Sequence, residues 1–305
     1  MISYRGFTKR FGRQVAVEGL TLEVSAGETV ALLGPNGSGK TTSLKAAAGL
    51  VRATEGEVLV GAPPRPAGDA GARWCCSFLP QKVAFPEALS GREVVDFHRA
   101  LRGGEAARTD EVLRFASLNG AGDRLVHTYS GGMIQRLGLA VAMLPDAPIL
   151  LLDEPTAALD PAGLAAFYGL VERRRRAGST LLFTSHQLGD AERLADRVAV
   201  LVEGRLVGLF TERDLARRMA DQGTMRVRLE TATATREALA AAREVCPGAT
   251  LDGDDIVVPG SSALRPAVLQ RIQAAGGILS GLTTEEGRLD KLYLELVKDE
   301  REGQA

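Results

Sequence analysis

An α/β fold with a small second domain is predicted by three features of this 305-residue sequence. Short apolar runs, Glu28–Leu33, Pro148–Leu152 and Thr180–Phe183, read as fully buried parallel strands. A glycine-rich stretch, Gly34-Pro35-Asn36-Gly37-Ser38-Gly39-Lys40-Thr41-Thr42, separates the first of these strands from a helical segment over 41–50. The pattern then changes after about residue 220 to alternating short strands and helices.

The glycine-rich stretch fits G-x-x-x-x-G-K-[ST]. Glycines let the backbone wrap a phosphate chain and turn its N–H groups inward. Lys40 can reach β- and γ-phosphates, the Thr41 hydroxyl can ligate Mg²⁺, and the dipole of the following helix favours the anion.

Composition bounds the function. A formal net charge of −1 argues against a general nucleic-acid binder. No apolar run approaches the roughly 18 residues that span a bilayer, and Met1–Arg5 carries no apolar signal region, so a cytoplasmic location is expected. Three cysteines suggest no disulfide framework.

In chain order, residues 2–30 read as antiparallel hairpins turning at Gly12-Arg13 and Ala26-Gly27. Phe11 fits either stacking on a base or folding onto the core. A strand over 56–60 precedes a Pro/Gly-rich loop over 61–71, and Trp74–Leu79 reads as the next strand, ending at Pro80-Gln81. The vicinal Cys75 and Cys76 are expected to pack as small hydrophobes, because neighbours on a strand face opposite ways and two ligands are too few for a closed metal site. Residues 87–145 read as mostly helical, with Val94, Val95, Phe97 and Leu101 on one helix and Val112, Leu113, Phe115 and Ala116 on another. His98 and His127 are expected to be structural or solvated.

Ser130-Gly131-Gly132, opening a helix over 134–144, forms a second anion-binding end. The buried strand before Asp153-Glu154 delivers two acids at its C-terminal end, where open α/β sheets place ligands. Asp153 can hold Mg²⁺ and Glu154 can deprotonate an attacking water. Ala158–Pro161 turns into a helix ending in Arg173–Arg176, read as cations at a helix C-terminus, not as a nucleic-acid patch. His186 ends another buried strand, within reach of a γ-phosphate oxygen. A hairpin around Glu203-Gly204 follows. Beyond residue 222, strands over 225–230, 256–258 and 278–279 and helices over 235–245, 263–275 and 287–297 are expected, with a frayed tail from Asp299.

The order of these pieces resembles the nucleotide-binding subunit of ATP-binding cassette (ABC) transporters over roughly residues 1–215. The resemblance implies an ABC-type P-loop ATPase core with an antiparallel β edge. Residues 1–218 would be the nucleotide-binding domain, with a helical subdomain over about 85–145, and 222–305 a small α+β accessory domain. It implies that Phe11 stacks on adenine and that Gly34–Thr42, Lys40 among them, hold the phosphates of ATP. Thr41, Gln81 and Asp153 would then hold Mg²⁺, with Glu154 as catalytic glutamate and His186 as switch histidine. Ser130, Gly131 and Gly132 would be the signature motif, with Tyr129 for Leu and Met133 for Gln, and Asp160 would close the D-loop. It implies a head-to-tail homodimer, each copy lending its signature motif to the other's ATP. Separate transmembrane permease subunits would couple near Gln81 and hold the chain on the inner face of the cell membrane.

The tyrosine-led signature and C-terminal appendage further resemble the ABC-2 group, many of whose members are exporters. Segments 88–93, 128–130, 135–140 and 289–293 are similar to the NosF-type ATPase, which powers copper-centre maturation of nitrous oxide reductase. That likeness implies a membrane permease and a periplasmic accessory protein as partners. The rivals are an ABC-2 drug or lipid exporter ATPase and a non-transport cassette protein acting on DNA or the ribosome. The latter usually carries paired cassettes, a long coiled coil or basic insertions, none of which this sequence shows. A nucleotide-binding scaffold without hydrolysis is opposed by Glu154, His186 and Gln81.

Overall fold

The computed structural model describes residues 1–118, 120–157, 159–221, 223–230 and 235–285. The expected helix over 287–297, the frayed tail, the segment 289–293 and Ala158 lie outside the described residues. The chain forms two compact units, Met1–Glu212 and Arg213–Ala305.

The first unit holds two sheets. Strands β1 (Ile2–Phe11), β2 (Gln14–Val24), β4 (Glu55–Val60) and β5 (Arg65–Pro66) form an antiparallel sheet ordered β2-β1-β4-β5. The second sheet is ordered β10-β9-β3-β8-β7-β6, from β3 (Thr29–Leu33), β6 (Cys76–Leu79), β7 (Ile149–Asp153), β8 (Thr180–Ser185), β9 (Arg197–Val202) and β10 (Arg205–Thr211). All its pairings are parallel except the closing β9–β10 hairpin. Strands β3, β7 and β8 are buried along their whole length. This is why they read as continuous apolar runs instead of alternating ones.

Helix α1 (Lys40–Ala47) shares one core with both sheets. Its Leu44, Ala46 and Ala47 pack with Tyr4, Phe7, Leu20, Leu32 and Leu151. The Tyr4 hydroxyl, buried with its pKa pushed well up, donates to the Ser43 carbonyl at 2.8 Å and ties the antiparallel sheet to this helix.

The residues expected to begin a strand at Trp74 instead end a short helix, α2 (Ala70–Trp74). Asp69 caps it by accepting from the Gly71 N–H at 2.7 Å, and the strand starts only at Cys76. Cys75 is thus a helix C-cap, not a strand residue, while Cys76 joins the core. Both are free thiols, and burial pushes Cys76 up to about 12.

The helical segment comprises α3 (Gly91–Leu101), α4 (Ala107–Phe115) and α5 (Gly131–Met143). Val94, Val95, Val112 and Leu113 are buried, but Phe97 and Leu101 are exposed on the C-terminal half of α3. Apolar spacing marked a face there that this unit does not cover. His98 is half-buried between Phe97 and Phe85, and burial lowers its pKa; His127 is exposed.

Helix α6 (Pro161–Arg176) ends on the four arginines. Arg174 pairs with Asp146, Arg175 with Asp196 and Arg176 with Glu172, while Arg173 lies over the Phe115 ring. A helix α7 (Leu188–Leu194) follows β8.

Helix α8 (Glu212–Asp221), not anticipated from sequence, starts at the last residue of the first unit and opens the second. The second unit continues with β11 (Thr224–Leu229), α9 (Thr235–Val245), β12 (Thr250–Asp252), β13 (Asp255–Pro259), α10 (Arg265–Ala274) and β14 (Leu279–Glu285). From β11 onward this is a βαββαβ motif, its antiparallel sheet ordered β12-β13-β11-β14. Its own core gathers Met225, Val227, Ala238, Ala242, Ile256, Val268 and Ile272. β14 is far longer than the two residues expected, because its Ser, Thr and Glu residues lie on an exposed edge and carry little apolar signal.

Candidate active site

Parallel pairing of β3, β6, β7 and β8 brings the segments after their C-terminal ends to one edge of the sheet. There Phe11, Asn36–Thr42, Gln81 and Glu154 line one cleft of about 500 Å³, with Gln14 and Ala16 completing it.

The loop can only be built from glycine at its tightest points. At Gly34 (φ +156°) a Cβ would lie 2.1 Å from the Leu201 carbonyl oxygen. At Gly39 (φ +97°), which caps α1, it would lie 2.6 Å from that of Ala16. Lys40 is buried. Its ammonium donates to the carbonyls of Gly34 (2.8 Å) and Pro35 (3.0 Å), spanning the loop it belongs to. Burial lowers its pKa, opposed by the charges of Glu154 and Asp153. The Ser38 hydroxyl is buried in the loop with no partner.

Behind the loop, Asp153 is buried at the end of β7. Its Oδ1 accepts from Thr41 Oγ1 (3.0 Å) and Thr184 Oγ1 (2.7 Å), while Oδ2 is buried without a partner. An orphaned carboxylate oxygen is costly unless a cation or water satisfies it. Asp153 beside the Thr41 hydroxyl is therefore a hard-oxygen donor set that suits Mg²⁺.

Glu154 is largely buried and adopts a left-handed backbone, φ +47°. Its N–H donates to Thr184 Oγ1 at 2.8 Å. Its Oε2 accepts from Gln81 Nε2 at 2.8 Å and lies 3.6 Å from His186 Nδ1. The phosphate loop, both acids, Gln81 and His186 thus belong to one constellation. Phe11 lies beside it with half its surface exposed, Lys9 over its ring at 4.9 Å, and does not fold onto the core.

Ser130, Gly131, Gly132 and Asp160 are not part of that cleft. Ser130 caps α5, accepting from the Met133 N–H (3.3 Å), and Asp160 caps α6, accepting from the Gly163 N–H (2.8 Å); both caps are exposed. Tyr129 is buried against Gly91, where a Cβ would lie 2.2 Å from its hydroxyl, and it donates to the Ala121 carbonyl at 2.7 Å. This tyrosine therefore anchors the segment before α5 to the start of α3.

Two residues escape sequence reasoning. Thr184 joins both acids. Asp190, buried on α7, accepts from the hydroxyls of Thr156 (2.6 Å), Tyr168 (2.7 Å) and Ser185 (2.9 Å). Neither sits in a motif. The register Asp153↔Thr184 is the only signal for the first, and it exists only once β7 and β8 are paired.

Comparison with known proteins agrees with this geometry. The ABC transporter family matches residues 17–157. The daunorubicin resistance ATP-binding protein DrrA3 of Streptomyces coeruleorubidus is 32% identical over 98% of this chain and 96% of its own length. The doxorubicin resistance ATP-binding protein DrrA of Mycobacterium tuberculosis (strain ATCC 25618 / H37Rv) is 32% identical over 95% of this chain and 91% of its own. The linearmycin resistance ATP-binding protein LnrL of Bacillus subtilis (strain 168) is 28% identical over 97% and 98%. Among solved structures, the dimeric post-hydrolysis cassette MJ0796 bound to ADP and Pi superposes with a TM-score of 0.64 at 26% identity. That match covers 70% of this chain and 99% of the cassette. With the phosphate loop, the paired acids and full-length likeness in agreement, the chain belongs to the ABC transporter family, as one of its ATP-binding, ATP-hydrolysing proteins.

Proposed function

We propose that this chain is the ATPase subunit of an ABC-2 type exporter of drug- or lipid-like compounds. One observation carries the reading: relatives named for resistance to daunorubicin, doxorubicin and linearmycin match over nearly the whole chain, second unit included. These names favour the exporter over copper-centre maturation of nitrous oxide reductase and its periplasmic accessory protein.

Residues 1–218 act as the nucleotide-binding domain and 222–305 as an accessory domain. Phe11 supplies a π-face for adenine, and the loop N–H groups with Lys40 cradle the phosphates of ATP. Thr41, Asp153 and Gln81 are the ligand set for Mg²⁺, which when bound neutralises charge on the β- and γ-phosphates. Glu154 takes a proton from the attacking water as its oxygen bonds to the γ-phosphorus and the bond to the β–γ bridging oxygen breaks, so that ADP leaves with that oxygen, and His186 steadies the γ-phosphate oxygens. Gln81 holds the Glu154 carboxylate in place until both are engaged by substrate.

The capped ends at Ser130 and Asp160 lie outside the cleft, which supports a head-to-tail dimer in which a second copy completes the site. MJ0796, similar over 70% of this chain, is itself dimeric in its solved structures. A cleft of about 300 Å³ is lined by Leu50, Phe78, His98 and Leu144 together with Arg73 and Arg102; exposed Phe97 packs on His98 and exposed Trp74 under Arg102, a mixed apolar and basic surface suited to a permease segment. Through it the chain is held at the inner face of the membrane; among the described residues no helix is long and apolar enough to cross one.

The test replaces Glu154 by Gln in the source organism and in the purified protein. Phosphate release is expected to fall by about 10²- to 10⁴-fold, the usual worth of a general base, with ATP still bound. Cells carrying this variant should become sensitive to an amphiphilic antibiotic while their nitrous oxide reductase keeps its copper-centre absorption. Loss of that absorption with unchanged resistance would reverse the choice of cargo.

A further inference from the structure

We infer that Thr184 is a positioning residue for ATP hydrolysis, setting both acids of the site through a single hydroxyl. The inference rests on the assignment of Glu154 as base. Thr184 is completely buried at the C-terminal end of β8, beside Asp153 in the parallel register. The Glu154 N–H donates to Thr184 Oγ1, so the oxygen is an acceptor on that side. The hydroxyl proton is then committed to Asp153 Oδ1, 2.7 Å away.

Two consequences follow from this chain of donors. Thr184 and Thr41 both donate to Oδ1 of Asp153, which turns its other oxygen, Oδ2, into the one left for a cation. At the same time Thr184 satisfies the backbone N–H of a residue held at φ +47°. That left-handed turn is what aims the Glu154 carboxylate at Gln81 and His186. A β-branched valine would fill the same space and supply neither bond.

The test compares Thr184→Val with Thr184→Ser in the full chain. Thr184→Val is expected to lower kcat roughly 10- to 100-fold, the scale of leaving one buried group unpaired, while KM for ATP stays near the native value. Its requirement for Mg²⁺ should also move to higher concentration. Thr184→Ser, which keeps the hydroxyl, should restore kcat and the Mg²⁺ requirement. In a Glu154→Gln background at saturating Mg²⁺, Thr184→Val should cost little more in kcat, because the base it positions is already gone, while the higher Mg²⁺ requirement, which comes through Asp153, should remain. Affinity for a fluorescent ATP analogue without metal should be unchanged throughout. The inference is overturned if Thr184→Val retains native kcat, if KM alone rises, or if Ser fails where Val fails. Should Thr184→Val not fold, Thr184→Ala carries the same comparison against Ser. A loss of all hydrolysis dependence on Glu154 would remove the base assignment instead, and would be seen in Glu154→Gln alone.

Discussion

Glu154 occupies a backbone conformation that costs an L residue with a Cβ about 1–2 kcal/mol. Its neighbours over-determine it: the Thr184 hydroxyl holds its N–H, and Gln81 and His186 flank its carboxylate. The cost can be isolated by comparing two variants that both lack the carboxylate. Glu154→Gly is expected to be more stable than Glu154→Ala by about 1 kcal/mol in denaturant titration, the reverse of their order in a helix or strand. Asp190 poses the complementary case of a buried carboxylate with three hydroxyl donors. Burial and the bond to Asp190 push the Tyr168 phenol up to about 12. Asp190→Asn should cost about 1–3 kcal/mol of stability by putting an amide donor among hydroxyl donors. The Tyr168 titration, followed by ultraviolet absorption, should shift down in the same variant.

Among elements, β8 joins the most parts of the site. Its last residues, Thr184 and Ser185, reach Asp153 at the end of β7, Glu154 just after it and the Asp190 carboxylate on α7, and His186 follows directly. At the opposite end of the sheet, Glu28 before β3 is gripped by Arg197 at the start of β9 through a two-point contact. Burial raises the Glu28 pKa, but the Arg197 and Ser25 bonds outweigh it and leave it lowered. A depressed carboxyl contributes stability above its unfolded pKa and loses it as pH falls through the folded one. Glu28→Gln should therefore be less stable than the native chain at neutral pH. The difference should vanish below the ordinary glutamate range, as measured by denaturant midpoints across that window. The helical segment is secured differently. Ser90 starts α3 with a capping box, its side chain accepting from the Glu93 N–H while Glu93 reaches back to the Ser90 N–H at 2.7 Å. The sequence shows this box as Ser-x-x-Glu.

For the whole molecule, every residue lining the cleft lies within Met1–Glu212, and the second unit has a core of its own. A chain ending at Glu212 is expected to bind an ATP analogue as tightly as the full chain, measured by fluorescence. A weaker affinity would give the second unit a part in nucleotide binding. Ser130 and Asp160 point to a different requirement, since they are exposed helix caps outside the cleft of their own chain. Hydrolysis is accordingly expected to rise more than linearly with protein concentration until dimers predominate.

The glycine-rich loop, Asp153-Glu154 and His186 were legible from residue type and spacing, because each lies at the end of a short strand with a strong apolar signature, whereas Gln81 was marked only by the family resemblance. The antiparallel hairpin and the change of pattern near residue 220 were legible for the same local reasons. Phe97 and Leu101 were not, since periodicity marks a face without showing what covers it. Nor were the short α2 and the polar edge strand β14, whose stability comes from one cap and from pairing with β11. Sequence thus determined which chemical groups the chain carries and which strand ends deliver them, both being local properties. Only the tertiary structure decided that a threonine on β8 would hold both acids at the end of β7, because strand register is a relation between segments about 30 residues apart that no local pattern encodes.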